Sequence, residues 1–179
     1  MKRFLKLIDA ISEILASAGR IVIFTLIIAM LYEVVARYVF GAPTLWAFDI
    51  SYMLNGSIFL LGAAYALRSD VHVRIDFLSQ RLPMRFQQLL NGLVFLLIMT
   101  PIFAIFAFIA GEKAFKAFIT SEVESVSPWA PLMWPFYTVI AIGLAALALQ
   151  FVAEAIKLIS GHKEPGKALG ELDSMEQKQ

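Results

Sequence analysis

Cysteine is absent from this 179-residue chain, which removes disulfide frameworks, thiol catalysis and cysteine-ligated metals. Histidine occurs only as His72 and His162, both outside the apolar stretches, so a haem held by imidazoles inside a helical bundle is excluded. No Gly-rich phosphate loop, His-Glu-x-x-His run or Gly-x-Ser-x-Gly elbow occurs. Ser51, Ser57 and Ser125 have no base at a telling spacing, and an enzyme is not expected. No cofactor or metal is expected in the chain, and no nucleic-acid partner. An internal repeat is also missing, which weighs against a complete inverted-repeat transporter. Charge is sparse: 16% of residues are charged, against about 25% in soluble domains.

What fills the space is apolar. Hydrophobic residues make up 60% of the chain and mean hydropathy is +0.76. Four stretches dominate, and a helix needs about 20 apolar residues to cross a hydrocarbon core of about 30 Å. The expected fold is an all-α integral membrane protein with spans at about 20–40, 46–67, 87–111 and 132–153, inside one membrane domain of residues 1–160. Glu33 and Arg37 break the end of the first stretch, and helical pitch carries it on to Phe40 with those side chains snorkelling or pairing. The third stretch holds Asn91 and Pro101, and Pro101 predicts a kink. Pro131 and Pro135 suit the opening turn of the fourth helix.

The charges are sorted by side. Of the fifteen basic residues, only Arg37, Lys113 and Lys116 fall on the side opposite to the other twelve. The positive-inside rule makes the basic side the cytoplasm, with both termini there. Trp46, Trp129 and Trp134, with Tyr38 and Tyr137, mark the outer headgroup level.

The start Met1-Lys2-Arg3 resembles a signal peptide, but Asp9 and Glu13 interrupt the apolar core and no small-residue cleavage site follows. Phe4, Ile8, Ile11, Leu15 and Ala18 share one helical face, opposite Lys2, Lys6, Asp9, Glu13 and Arg20. This predicts an N-terminal amphipathic interfacial helix on the cytoplasmic leaflet; a cytoplasmic extension of the first span fits the pattern equally. Residues 68–83 fit a strand period and a helical one alike. From 161 to 179 the polar composition predicts a disordered cytoplasmic tail.

Two acids lie within reach of the membrane. Glu33 precedes Arg37 by four residues, the favourable orientation for a helical ion pair, and Asp49 falls one turn into the second span. One reading makes Glu33 or Asp49 a proton or cation relay. The favoured reading is a structural Glu33–Arg37–Asp49 cluster that locks two helix ends, because both acids lie near a boundary. Deeper in the second span, Asn55 shares a face with Phe59, Gly62 and Ala66, a small-residue spacing that admits close helix approach. Ala141, Ala145 and Ala148 form a similar stripe in the fourth. Packing within the bundle is the favoured reading of both stripes, and contact with another subunit the alternative.

A family resemblance rests on ordered runs. These are Glu33-Val34-Val35-Ala36-Arg37-Tyr38-Val39-Phe40, Pro43-Thr44-Leu45-Trp46 with Asp49, and Leu61-Gly62-Ala63-Ala64-Tyr65-Ala66-Leu67. His72-Val73-Arg74-Ile75-Asp76 follows, then Ser121 to Pro131 with Glu124, Ser125, Ser127 and Trp129. Together they resemble the small membrane (Q-type) subunit of tripartite ATP-independent periplasmic (TRAP) transporters. In that family the second-helix acid is more often glutamate; aspartate keeps the charge and shortens its reach.

The resemblance implies a scaffold in the bacterial inner membrane. It would support a large subunit that holds the substrate and sodium sites, fed by a periplasmic binding protein that captures organic acids. It implies that Arg37, Trp46 and Asp49 fix the outer helix ends. Arg68, His72, Arg74 and Asp76 would shape the inner loop and meet membrane lipids or the large subunit; positive-inside retention explains the arginines equally well. Pro43, Thr44, Glu122, Glu124 and Trp129 would face the binding protein. The competing hypothesis is an autonomous oligomeric small transporter or proton channel with Glu33 as coupling acid. A non-transport assembly or sensor-anchor subunit is a third class.

Overall fold

A computed structural model describes residues 2–69 and 83–161. The 68–83 loop apart from its ends, with His72, Arg74 and Asp76, lies outside the described residues, as does the tail from residue 162. Four long helices account for most of what is described: α1 (Lys2–Tyr38), α2 (Ala47–Arg68), α3 (Met84–Thr120) and α4 (Trp134–Ile159). Each is long and apolar enough to cross a membrane.

The first helix matches the second of the two readings of the N-terminus, an extension of the first span. No turn separates an in-plane N-terminal helix from the first span, because α1 is one rod of 37 residues, about 55 Å long. Ala18-Gly19-Arg20 contains no proline, and a single glycine inside a helix costs only about 1 kcal/mol relative to alanine. The rod ends where Gly41 turns the chain at φ 63°, and the Ala42 N–H reaches back to the Ala36 carbonyl at 2.9 Å.

In α3 the disturbance expected at Pro101 sits just before it, as a π turn over Phe95–Met99. Proline has no N–H to donate, and its ring clashes with the carbonyl four residues back. Widening the preceding turn relieves both problems, and the Thr100 hydroxyl donates to the Phe95 carbonyl at 2.8 Å. The helix closes on Ser121 in the left-handed region (φ 51°), with the Glu122 N–H on the Ala117 carbonyl at 3.0 Å. The chain then makes a short hairpin, with an antiparallel bridge between Val123 and Leu132. Pro135 occupies the opening turn of α4, where its missing N–H leaves nothing unsatisfied.

Packing centres on α4, which lies against α1, α2 and α3, whereas α3 leans mainly on α4. Half of the most apolar part of α4 is buried, against none of that of α3. Because lipid tails are as apolar as leucine, association inside a bilayer depends on close fit rather than water exclusion. That fit comes from Gly143, where an added Cβ would stand 2.8 Å from the Leu60 Cβ of α2. The buried stripe of α4 is Gly143, Ala146, Gln150 and Ala153, whereas Ala145 of the expected alanine stripe is exposed. Gly62 departs too: nothing lies within 4 Å of an added Cβ there, and Asn55 is exposed, so their stripe is not packed within the bundle. Between α3 and α4, Phe95 and Phe103 each meet Phe151 with ring centroids 5.3 Å apart.

Candidate functional site: polar clusters at the helix ends

Glu33 and Asp49, at the tryptophan-bearing end, are both buried, and each is held by a different loop. Glu33 is 4% exposed on the last turns of α1. Its Oε1 accepts from Arg37 Nε at 2.9 Å and from a terminal guanidinium nitrogen at 2.6 Å. Its Oε2 accepts the Thr44 N–H at 3.0 Å and the Thr44 hydroxyl. The turn at Gly41 brings Thr44 back over α1, and Trp46 stacks on Tyr32 with centroids 5.8 Å apart. Glu33, Arg37, Thr44 and Trp46 thus clasp the α1–α2 connection.

Asp49 does not join them, contrary to the three-residue cluster expected from the sequence. It is 1% exposed on the first turn of α2 and accepts the hydroxyl of Ser127, in the loop between α3 and α4. Ser127 Oγ accepts the Trp129 N–H at 3.1 Å. Nearby, the Tyr52 hydroxyl donates to Glu124 at 3.3 Å while its ring meets Phe136 edge-on at 5.9 Å. Glu124 also accepts the Val126 N–H at 3.3 Å. Asp49 and Glu124 therefore clasp the second loop onto α2, beside a cleft of ≈ 440 Å³. Of the surface residues singled out in the sequence, Pro43 and Trp129 are exposed, while Thr44, Glu122 and Glu124 are half-buried.

The opposite, basic end holds a network that sequence reasoning missed. The sequence placed Asp9 and Glu13 on the polar face of the N-terminal helix; in the structure Lys6 and Arg20 of that face stay exposed, while Asp9 and Glu13 reach partners on α4 and α2. Lys157 donates to Asp9 at 2.8 and 3.1 Å and to Glu154 at 2.9 Å. Gln150 donates to Asp9 at 3.1 Å and to Glu154 at 2.9 Å, and accepts the Ser12 hydroxyl at 2.8 Å. Arg68 reaches from α2 to Glu13 at 3.0 Å and to the Asp9 carbonyl at 3.2 Å. Gln150 and Glu154 are fully buried, so these bonds are what make their burial tolerable. The signal was present as Gln150, Glu154 and Lys157 on one face of α4, matched by Asp9, Ser12 and Glu13 on α1.

Between the two ends the helices carry no acid or base: none occurs in 21–32, 50–67, 86–111 or 134–153. Glu13 and Glu33 are twenty residues apart on one helix, about 30 Å. Among the described residues no group of acids and histidines is placed to hold a metal ion. Chemically, the arrangement ties helix ends together and leaves the apolar middle without a stepping stone for charge.

Comparison with known proteins adds to this geometry. Residues 26–161 match the family described as tripartite ATP-independent periplasmic transporters, DctQ component. The chain is 32% identical over 99 residues to the sialic acid TRAP transporter permease protein SiaT of Haemophilus influenzae (strain 86-028NP). That match covers 55% of this chain and spans 16% of the relative's length. No solved structure matches.

Proposed function

Since this chain belongs to the DctQ component family of tripartite ATP-independent periplasmic transporters, we propose that it is the small scaffold subunit of such a transporter in the bacterial inner membrane. It braces a large membrane subunit that carries the substrate and sodium sites and moves the substrate. Both termini face the cytoplasm, and the tryptophan end faces the periplasm, where a binding protein delivers an organic acid. The observation that carries this reading is the sorting of charge. Every described acid sits toward one helix end or in the loop joining α3 and α4, and Glu33, Asp49, Glu124 and Glu154 are bonded within the chain. A path for protons or ions needs ionisable groups at depth, and such a path belongs on a partner.

The comparison with SiaT supports a large partner: the matched segment is 16% of a single permease polypeptide. Sialic acid, in the name of that relative, is a carboxylate, in keeping with organic acids as the substrate class. The autonomous-channel alternative is disfavoured, because Glu33 is engaged by four internal donors and no second acid or base lies along the middle of α1. Affinity purification from native membranes in mild detergent tests the proposal. A stoichiometric large polytopic protein is the expected companion; recovery of a stable homo-oligomer alone overturns the scaffold role.

A further inference from the structure

Asn55 is the polar residue that the fold leaves without an explanation. It sits well inside α2, about 12 Å from Ala47 and about 20 Å from Arg68. Its side chain faces outward, with no hydrogen-bond partner among the described residues. In a bilayer that position faces hydrocarbon, where an unpaired carboxamide is among the costlier side chains to hold. The same face carries Phe59, 75% exposed, and Gly62, beside which nothing lies within 4 Å of an added Cβ. Adjoining it, a groove of ≈ 260 Å³ runs between α1 and α2, floored by Gly19, Ile58 and Gly62. The outer flank of α3 offers the opposite chemistry: Ile105, Phe108 and Ile109 are exposed and wholly apolar, which lipid satisfies.

We propose that the α2 face bearing Asn55, Phe59 and Gly62, with the groove beside it, seats a transmembrane helix of the large subunit that presents a hydrogen-bonding group opposite Asn55. This rests on the scaffold reading above and deepens it by naming the face. Open space at Gly62 lets a helix approach closely, which is how helices associate where water exclusion cannot drive them. The amide then exchanges an unpaired position in hydrocarbon for an interhelical hydrogen bond, an exchange that a purely lipid-facing surface does not offer.

Photo-crosslinking in the purified two-chain complex tests the proposal. Phe59→benzoylphenylalanine and Phe108→benzoylphenylalanine place matched aromatic probes twelve residues from the tryptophan ends of α2 and α3. The expected result is an adduct to the large subunit from the Phe59 position and none from the Phe108 position. An adduct from the Phe108 position alone overturns the assignment of the face and leaves the scaffold reading intact. So does a Phe59 probe that captures only lipid or a second copy of this chain. If no large subunit accompanies the unmodified chain, both readings fall. As an independent measurement, Asn55→Leu is expected to lower co-purification of the large subunit about three- to tenfold without changing the thermal stability of this chain alone. Undiminished co-purification overturns the polar contact.

Discussion

Glu33 is buried where four donors converge on it, two from Arg37 on the same helix and two from Thr44, which tie the α1–α2 connection to α1. Replacing it leaves the Thr44 N–H and hydroxyl without their acceptor inside a closed loop. Glu33→Leu is therefore expected to lower the melting temperature of the detergent-solubilised chain by several degrees. Arg37→Gln is expected to cost less, because the guanidinium is half-exposed and Glu33 keeps its Thr44 donors. At the basic end, Lys157 bridges Asp9 and Glu154. Lys157→Met removes the ammonium bonded to Asp9 and to the fully buried Glu154, and a loss of about 2–3 kcal/mol in unfolding experiments is expected. The Glu33–Arg37 pair was legible because helical spacing alone places them together. Asp49 and Ser127 were not, because 78 residues of chain separate them and only the packed fold makes them neighbours.

Among the elements, the helices themselves were readable from apolar runs, whereas their ends and contacts depended on details that a run does not encode. Of the two readings of the N-terminus, the unbroken helix fits an extension of the first span, because nothing in Ala18-Gly19-Arg20 stops a helix; Ser12 and Asp9 of α1 then meet Gln150 of α4. The disturbance at Pro101 was foreseeable from the residue, and its form as a π turn came from the helix continuing on both sides. Small residues were the least legible feature, since spacing does not say which stripe faces a neighbour. Gly143 meets Leu60, while among the described residues nothing lies within 4 Å of a Cβ added at Gly62. Two substitutions separate them. Gly143→Leu is expected to destabilise the chain by about 1–3 kcal/mol by wedging α2 from α4. Gly62→Ala is expected to leave the isolated chain unchanged within about 0.5 kcal/mol, or slightly stabilised. Thermal unfolding of both variants in the same detergent checks the contrast.

As a whole molecule, this is an apolar slab with a polar clasp at each end, three of its helices gathered around α4. Its outward faces on α1 and α3 are broad and greasy, suited to lipid or to another membrane protein. The proposed scaffold role needs rigidity and surface; the clasps at the helix ends give the first and the flanks the second. Loss of a clasp is then expected to weaken assembly before it alters what is carried: Trp46→Ala and Asp49→Ala should reduce recovery of the two-chain complex, with substrate preference unchanged in whatever complex remains. A change in sodium dependence with assembly intact would contradict that ordering. The measurement that reaches the central claim most directly is flux in proteoliposomes, comparing this chain alone with this chain plus the large subunit and the binding protein. The account predicts no proton or organic-acid flux from this chain alone and sodium-dependent uptake only when the partners are present. Flux through this chain alone that Glu33→Gln abolishes would contradict it.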